Sequence, residues 1–163
     1  MRPIEAREQL GQWLRTRGIA DALEGQRERQ AVRTANGMDC LLWLPLQDTT
    51  LFIFVVVTEL TMPQDNDILA LSMALNLEPS RTHGGSLGYN PVSRQLMLRS
   101  MHPMSSLDEP GLDRVITQLG TLAGSLKRYI EGYRHQQAAG RRAQKGPAPS
   151  PAFHLGARRF SAN

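Results

Sequence analysis

The sequence has a single cysteine, few aromatic residues and no long hydrophobic run. Cys40 cannot form a disulfide within the chain or build a structural zinc site alone, which excludes disulfide-stabilised and zinc-finger scaffolds. The longest apolar run, Leu51 to Val57, is far shorter than the ~20 residues that a membrane-spanning helix requires. Because the N-terminus also lacks the features of a secretory signal, we expect a cytoplasmic protein without membrane insertion, and Cys40 in its core.

Acidic residues are missing from the end of the chain. Residues 1–139 carry 14 Lys and Arg against 15 Asp and Glu, whereas residues 140–163 contain basic residues and no acid. The basic residues of this last segment are Arg141, Arg142, Lys145, Arg158 and Arg159. Alternate prolines in the same segment favour an extended backbone. We therefore predict one domain over 1–139 and a flexible basic tail over 140–163, whose cations could dock on an acidic partner.

Apolar spacing and turn residues predict elements in the order α-β-β-β-α-β-β-α. Asn36-Gly37 is the strongest hairpin signal, since a two-residue type I′ turn requires positive φ at both positions. Ser106 and Glu109 form a capping box before the last helix, which we expect to end near Tyr133. The predicted fold is therefore α+β, with helices packed on an antiparallel sheet.

The chemical motifs in the sequence are incomplete. Gly84 to Gly88 matches the G-x-S-x-G nucleophile elbow around Ser86, but an elbow requires a strand before the serine and a helix after it. Here a predicted helix and loop precede the motif and a hairpin follows. The histidines show none of the spacings that fix a metal. We therefore predict no catalytic residue, no metal site and no cofactor, and a protein that is not an enzyme.

The second and third predicted strands are apolar on both faces. Leu41, Trp43, Phe52 and Phe54 alternate with other apolar residues such as Cys40. A small antiparallel sheet normally keeps one face polar, so either helices cover both faces or one face is reserved for another chain. The second helix is also apolar most of the way round, which favours a homodimer contact through it.

Characteristic residues lie in the second half of the domain. They are Asp67-Ile68-Leu69-Ala70-Leu71 with Ala74-Leu75-Asn76-Leu77, the stretch from Thr82 to Pro91, and Gln95-Leu96-Met97-Leu98-Arg99. The pattern is a short apolar helix ending in Asn-Leu, a Gly-rich entry to a strand, a hairpin and a long amphipathic helix. With this pattern, residues 3–135 resemble the class I type III secretion chaperones of the Tir-chaperone family.

The resemblance implies a cytoplasmic homodimeric chaperone without a cofactor. Such a protein binds the N-terminal segment of one or more secreted effectors, keeps it unfolded and delivers it to the secretion apparatus, whose ATPase is a further partner. By the same resemblance, the dimer contact is expected at Leu69, Met73, Leu96 and Leu98. Client binding, or the core directly beneath it, is expected at Leu10, Trp13, Leu41, Trp43, Phe52 and Phe54.

Two other functions remain open at the level of the sequence. A chaperone-fold regulator that titrates a resident secretion or transcription factor would bind one protein partner tightly. A nucleic-acid binder acting through the basic tail would lose affinity steeply with salt. Strand one places Arg27, Arg29 and Arg33 on one face but lacks the interleaved aromatics of single-strand binders, so we do not expect nucleic-acid binding by the domain.

Overall fold

The computed structural model describes residues 1–19, 23 and 26–144. The helices are α1 (Pro3–Thr16), α2 (Asn66–Leu75), α3 (Pro79–Thr82) and α4 (Glu109–Gln144). The strands are β1 (Arg29–Arg33), β2 (Asp39–Trp43), β3 (Thr50–Glu59), β4 (Ser86–Asn90) and β5 (Gln95–Pro103). The predicted order is confirmed except for α3, a single turn too short to show a helical period. No helix in the described ranges combines the length and apolar character needed to cross a bilayer.

The strands form one antiparallel sheet with the order β1-β2-β3-β5-β4. The first hairpin forms at Asn36-Gly37 as predicted, but its turn is not the predicted type I′, since Gly37 has φ 79° whereas Asn36 does not adopt positive φ. The Gly37 N–H donates to the Thr34 carbonyl at 2.9 Å and the Thr34 N–H to the Met38 carbonyl at 3.0 Å, so the loop has three residues, 35–37. The long strands β3 and β5 pair in the centre, with a shift of register between Val56 and Thr58. The sheet therefore has two edges, β1 and β4, and the fold class predicted from the sequence is confirmed.

Burial alternates along the strands and distinguishes the two faces of the sheet. Along β3 every second residue from Leu51 to Val57 is buried, and the residues between them are only half-buried. The helices line the buried face, where His102 of β5 lies beside Val115 and Leu119 of α4. Of the two arrangements that the sequence allowed, the described part of the chain therefore adopts the one in which its helices cover a single face.

Helix α4 lies very close to the tip of the first hairpin. The Asn36 amide Nδ2 donates to the Gly120 carbonyl at 2.8 Å, and the Thr34 hydroxyl donates to Asn36 Oδ1 at 2.6 Å. A Cβ atom at Gly120 would lie 2.8 Å from Cβ of the buried Thr34. The absence of a side chain at Gly120 therefore allows the hairpin to dock on the helix.

Cys40 lies in the core, as predicted. It is buried on the helix-covered face of β2. Burial raises the pKa of its thiol to about 12, because the thiolate would lose its hydration there. Cys40 is therefore a small apolar core residue in the folded protein.

The predicted capping box at the start of the last helix is wrong. Ser106 lies in a 3₁₀ turn and donates its hydroxyl to the Pro103 carbonyl at 2.8 Å. Asp108 caps the helix instead, since its Oδ1 accepts the backbone N–H of Gly111 at 2.7 Å. The cap is at Asp108 and not at Ser106 because the Ser106 hydroxyl is already bonded within the 3₁₀ turn that precedes the helix.

Helix α4 is longer than predicted, since it continues past Tyr133 and past the domain boundary expected at Ala139. The residues after Tyr133 are mostly good helix formers, and the first proline of the tail comes only at Pro147. The compact unit that contains the sheet is Met1–Ile130, and a second unit begins at Glu131. Of the predicted docking residues, Arg141 and Arg142 belong to α4, while Lys145, Arg158 and Arg159 lie outside the described residues.

Candidate functional site

The face of the sheet that the helices leave uncovered is apolar. We call it the open face, and its members are Leu41, Trp43, Phe52, Phe54, Val56, Met97 and Met101. The register brings Trp43 opposite Phe52, and Phe52 opposite Met101, so these side chains form a continuous row across three strands. Met101 is 53% exposed and the other members are half-buried. A contiguous apolar surface of this kind is typical of an interaction site.

Trp43 stands at the centre of an aromatic cluster and is held in place. Its ring centroid is 4.9 Å from that of Phe52 and 6.5 Å from that of Phe54. Its indole N–H donates to Glu28 Oε2 at 3.3 Å, and the guanidinium of Arg29 lies 5.1 Å from its ring centroid. These contacts restrict the rotamer of Trp43, and an anchor that is already ordered loses less entropy when a partner binds.

Glu28 connects this cluster to the neighbouring loop. Its Oε1 accepts the backbone N–H of Leu46 at 2.8 Å. This bond, and next the bond from the Trp43 indole, hold the pKa of the Glu28 carboxyl below its ordinary value, because both stabilise the charged form. Glu28 is therefore an anion that keeps the edge of the aromatic cluster fixed.

An open groove of about 650 Å³ extends the open face over β4. Phe54, Met97 and Arg99 line it from β3 and β5. A Cβ atom at Gly88 of β4 would meet nothing within 4 Å, so this glycine leaves the groove unfilled. The groove could therefore receive an apolar side chain, with the exposed Arg99 beside it.

The outer edge of β4 is closed by side-chain and backbone contacts. The Asn76 side chain donates to the Leu87 carbonyl at 2.9 Å and accepts the Leu87 N–H at 2.7 Å, as a neighbouring strand would. The N–H of Gly85, just before the strand, donates to the Thr82 carbonyl at 2.8 Å. An added strand would have to displace these bonds, so β4 is a protected edge.

The outer edge of β1 is open by comparison. The Thr34 N–H and the Glu28 carbonyl bond to the β2 side, so the even-numbered residues of this segment face β2. Hydrogen-bonding direction alternates along a strand, so the odd-numbered residues direct their N–H and C=O groups outward. These residues are Arg29, Ala31 and Arg33. Within the described part of the chain, no group bonds these three outward N–H groups. Among the described residues, the Ala31 carbonyl accepts a hydrogen bond from the half-buried Gln30 side chain alone, at 2.8 Å. The edge of β1 can therefore pair with an incoming strand.

The residues predicted for client binding separate into two groups. Leu41, Trp43, Phe52 and Phe54 come together on the open face. Leu10 of α1 is completely buried, so of the two roles expected for it, client binding or the core beneath, it has the core role.

Trp13 is also a core residue. It is almost fully buried, and its indole N–H donates to Asp113 Oδ1 of α4 at 2.8 Å. It lines a small cleft of about 150 Å³ between α1 and the start of α4. Its role is therefore to join these two helices.

The residues predicted for dimerisation separate in the same way. Leu96 and Leu98 are completely buried on the helix-covered face of β5, so they have no surface to offer a second copy and the expectation is corrected for both. Leu69 is half-buried on α2, and Met73 of the same helix is 42% exposed. Of the four residues predicted for dimerisation, Leu69 and Met73 are therefore the two that a second copy can contact.

Sequence reasoning missed the contributions of Met97, Met101 and Arg99 to this surface. The period of two along β5 puts these three residues on one face, which was visible in the sequence. The pairing of β5 with β3, however, is a tertiary contact between strands that are far apart in the chain. Only this pairing joins the methionines to the aromatic cluster.

Ser86 does not occupy a nucleophile elbow. It is the first residue of β4, and a turn joins β4 to another strand instead of a helix. The strained strand-to-helix turn that exposes a catalytic serine is therefore missing at this motif.

Residues 14–127 match the family described as the Tir chaperone protein (CesT) family. The chain belongs to this family. Membership confirms the resemblance found in the sequence and with it the prediction that this protein is a type III secretion chaperone. No curated protein matches this CesT-family chain significantly in sequence.

Solved structures with the same fold accompany the family match. The chain resembles the "HopA1-SchA Chaperone-Effector Complex" with a TM-score of 0.59 and 15% identity, covering 77% of this chain and 95% of the other. The "ExsC-ExsE Complex" gives 0.63 and 12%, covering 77% and 93%. The "heterodimeric complex ExoU-SpcU from the type III secretion system" of Pseudomonas aeruginosa gives 0.57 and 13%, covering 73% and 95%. At these identities the likeness establishes the fold of the CesT-family domain.

Proposed function

We propose that this chaperone binds the N-terminal segment of one or more type III effectors on the open face and keeps that segment unfolded in the cytoplasm until it is delivered to the secretion apparatus. The observation that carries this proposal is an apolar sheet face that none of the described helices covers, with Trp43, Phe52 and Phe54 at its centre. Two of the similar folds are described as a chaperone–effector complex and as part of a type III secretion system, which supports it.

The energetics of binding an extended client support this arrangement. Ordering a client residue costs about 1–2 kcal/mol of backbone entropy, and each buried apolar side chain returns about 1.5–3 kcal/mol. Leu41, Trp43, Phe52 and Phe54 are the proposed contacts for these client side chains. Pairing of the client backbone with the open edge of β1 supplies hydrogen bonds as well. Binding is the whole proposed activity, and no covalent step or cofactor is part of it.

The methionines of the open face favour more than one client. Met97 and Met101 are unbranched and can adopt several rotamers, so they can fit client side chains of different shape. A surface made only of fixed aromatic rings would select one shape. We therefore extend the proposal to a small group of effectors.

The chaperone is proposed to act as a homodimer that joins through α2. Met73 and Leu77 are exposed apolar residues at this helix, and the half-buried Leu69 lies one turn before Met73. Their burial against a second copy would remove this surface from water. In sedimentation velocity we expect the wild-type protein to be a dimer and Met73→Glu a monomer, whereas a monomeric wild type would contradict this part of the proposal.

The client proposal is tested by a nuclease-treated pull-down from the native cytoplasm, with bound proteins identified by mass spectrometry. The variants are Trp43→Asp and the milder Met101→Glu, which changes an exposed side chain. Val92→Glu, at an apolar residue that is 93% exposed in the β4–β5 turn, is the matched control. We expect secreted proteins, held through their N-terminal segments, to bind the wild type and Val92→Glu but to be lost from both variants of the open face.

Folding of each variant is checked by circular dichroism so that lost binding is not confused with unfolding. Retention of the same proteins by a folded Met101→Glu would contradict client binding on the open face. Binding of one resident regulator and no secreted protein would instead favour the chaperone-fold regulator. Loss of binding on removal of residues 140–163 would indicate that the basic tail, and not the open face, holds the partner.

A further inference from the structure

We propose that this chaperone selects its client strand by charge: the segment that pairs with β1 has the pattern acid-x-apolar-x-acid. The two acids lie opposite Arg29 and Arg33, and the apolar residue lies opposite Ala31. This inference rests on the proposed function, because it names the chemistry of the client segment that β1 accepts.

The geometry of β1 determines which client positions meet which residues. Arg29, Ala31 and Arg33 share the open-face side of the sheet, since Arg29 is opposite Trp43 and Ala31 is opposite Leu41. An added strand would place every second residue on that same side, directly beside one of these three. Positions opposite Arg29 and Arg33 are therefore four residues apart in the client, and the position opposite Ala31 lies midway.

Both arginines retain capacity for a new anion. Arg29 makes no salt bridge with a described carboxylate, because the adjacent acid, Glu28, directs its oxygens to Leu46 and Trp43. Arg33 has a single long contact, Nε to Asp39 Oδ1 at 3.3 Å, between two side chains that are mostly exposed. Directly opposed charges of unlike sign stabilise a strand pair, and like charges destabilise it, so lysine in the client would be rejected.

Ala31 accounts for the apolar position in the middle of the pattern. Its methyl group is the smallest side chain on this side of β1, and the next residue across the sheet is Leu41, followed by Phe54. A large apolar client side chain placed beside Ala31 would extend over this small residue toward the open face. The same client strand would thus be held by charge at two positions and anchored by burial at the third.

A single-stranded nucleic acid is the other kind of polyanion that arginines and aromatic rings attract. The geometry of this surface favours a peptide. Trp43 and Phe52 pack against each other with their planes 33° apart and are half-buried, so a base could not stack freely on either ring. The outward N–H and C=O groups of β1 match the spacing of a peptide backbone, which a nucleic acid lacks.

The test measures binding of three fluorescent peptides to the full-length protein by anisotropy at low salt. The probe has the sequence Ser-Glu-Thr-Leu-Thr-Glu-Ser, and the two comparison peptides have Gln or Lys at both Glu positions. We expect the Glu peptide to bind more tightly than the Gln peptide by a factor of roughly 2 to 30, the combined effect of two cross-strand charge pairs. The Lys peptide should bind most weakly, and about 1 M salt should remove the differences.

Charge reversal gives the sharper result. The double variant Arg29→Glu and Arg33→Glu should prefer the Lys peptide, while Arg114→Glu should keep the wild-type preference. Arg114 is a matched control because it is an exposed arginine on α4, the helix on the covered side of the sheet. Hydrogen exchange should slow at the N–H groups of Ala31 and Arg33 when the Glu peptide binds.

The outcomes separate this inference from the proposed function. Equal binding of the three peptides, or no binding of any, overturns the charge pattern, and the proposed function then stands only if the pull-down still retains effectors. Loss of both results overturns both proposals. Tighter binding of a ten-residue oligothymidylate than of the Glu peptide, abolished by the double variant, also overturns the charge pattern and identifies the surface as a nucleic-acid site.

Discussion

The contact between Gly120 and the first hairpin predicts that Gly120→Ala destabilises the protein. A Cβ atom at this position would lie 2.8 Å from Asn36 Oδ1 and 2.8 Å from Thr34 Cβ, closer than such atoms approach in folded proteins. Thr34 is a buried, β-branched residue and cannot rotate away cheaply. The hairpin must therefore move away from α4 to admit one methyl group.

The magnitude follows from three effects of opposite sign. Overpacking of this kind costs about 1–3 kcal/mol, and weakening the Asn36 bond to Gly120 costs about 0.5–1.5 kcal/mol. Replacing glycine by alanine inside a helix returns about 1 kcal/mol. We expect the free energy of unfolding to decrease by about 2 kcal/mol, with a melting temperature lower by roughly 4–8 °C.

Gly132→Ala in the same helix is the matched control. A Cβ atom there would meet nothing within 4 Å, so the gain in helix propensity has no steric cost, and this variant should be at least as stable as the wild type. Urea unfolding followed by circular dichroism measures both variants. If Gly120→Ala proved as stable as Gly132→Ala, the close docking of hairpin on helix would be refuted.

Three further predictions concern the buried Cys40 and the half-buried His102 and Asn76. The Cys40 thiol, with its pKa raised to about 12 by burial, should not react with a disulfide reagent in the native protein but should react once the chain is unfolded; rapid native labelling would contradict its burial. Burial lowers the pKa of His102, so below about pH 6.5 the unfolded chain binds this proton first. The free energy of unfolding is therefore highest above that pH and decreases below it. In urea unfolding, His102→Gln should reduce the decrease in this free energy between about pH 8 and pH 5. An unchanged decrease would exclude His102 as its source. Asn76→Ala removes both side-chain bonds to Leu87 and should lower the free energy of unfolding by about 1–3 kcal/mol and promote self-association through β4 in light scattering; a stable, monodisperse variant would show that other contacts protect this edge.

Sequence reasoning succeeded where a structure depends on neighbouring residues. Asn36-Gly37 predicted the position of its hairpin because Gly37 supplies the positive φ that the turn requires, but the predicted type I′ turn was wrong, since Asn36 does not adopt positive φ. The capping box at Ser106 failed because a 3₁₀ turn competed for the same hydroxyl. The end of α4 was placed too early because the residues beyond Tyr133 have good helix propensity without a clear apolar period.

The candidate site was only partly predictable for a related reason. Leu41, Trp43, Phe52 and Phe54 were expected at the client site and share the open face. Leu96 has the same apolar character, yet it faces the helices. Hydrophobicity alone cannot distinguish a core face from a binding face, since both are apolar in this sheet.

The sequence by itself determined the class of protein and the order of its elements, apart from the single turn α3. Short-range periodicity, turn residues and the pattern around Thr82 to Pro91 were enough for the fold and for the family. The tertiary structure decided which face of the sheet the helices cover and which edge is closed by Asn76. These two outcomes depend on contacts between residues that are distant in the chain, and such contacts leave no periodic signal in the sequence.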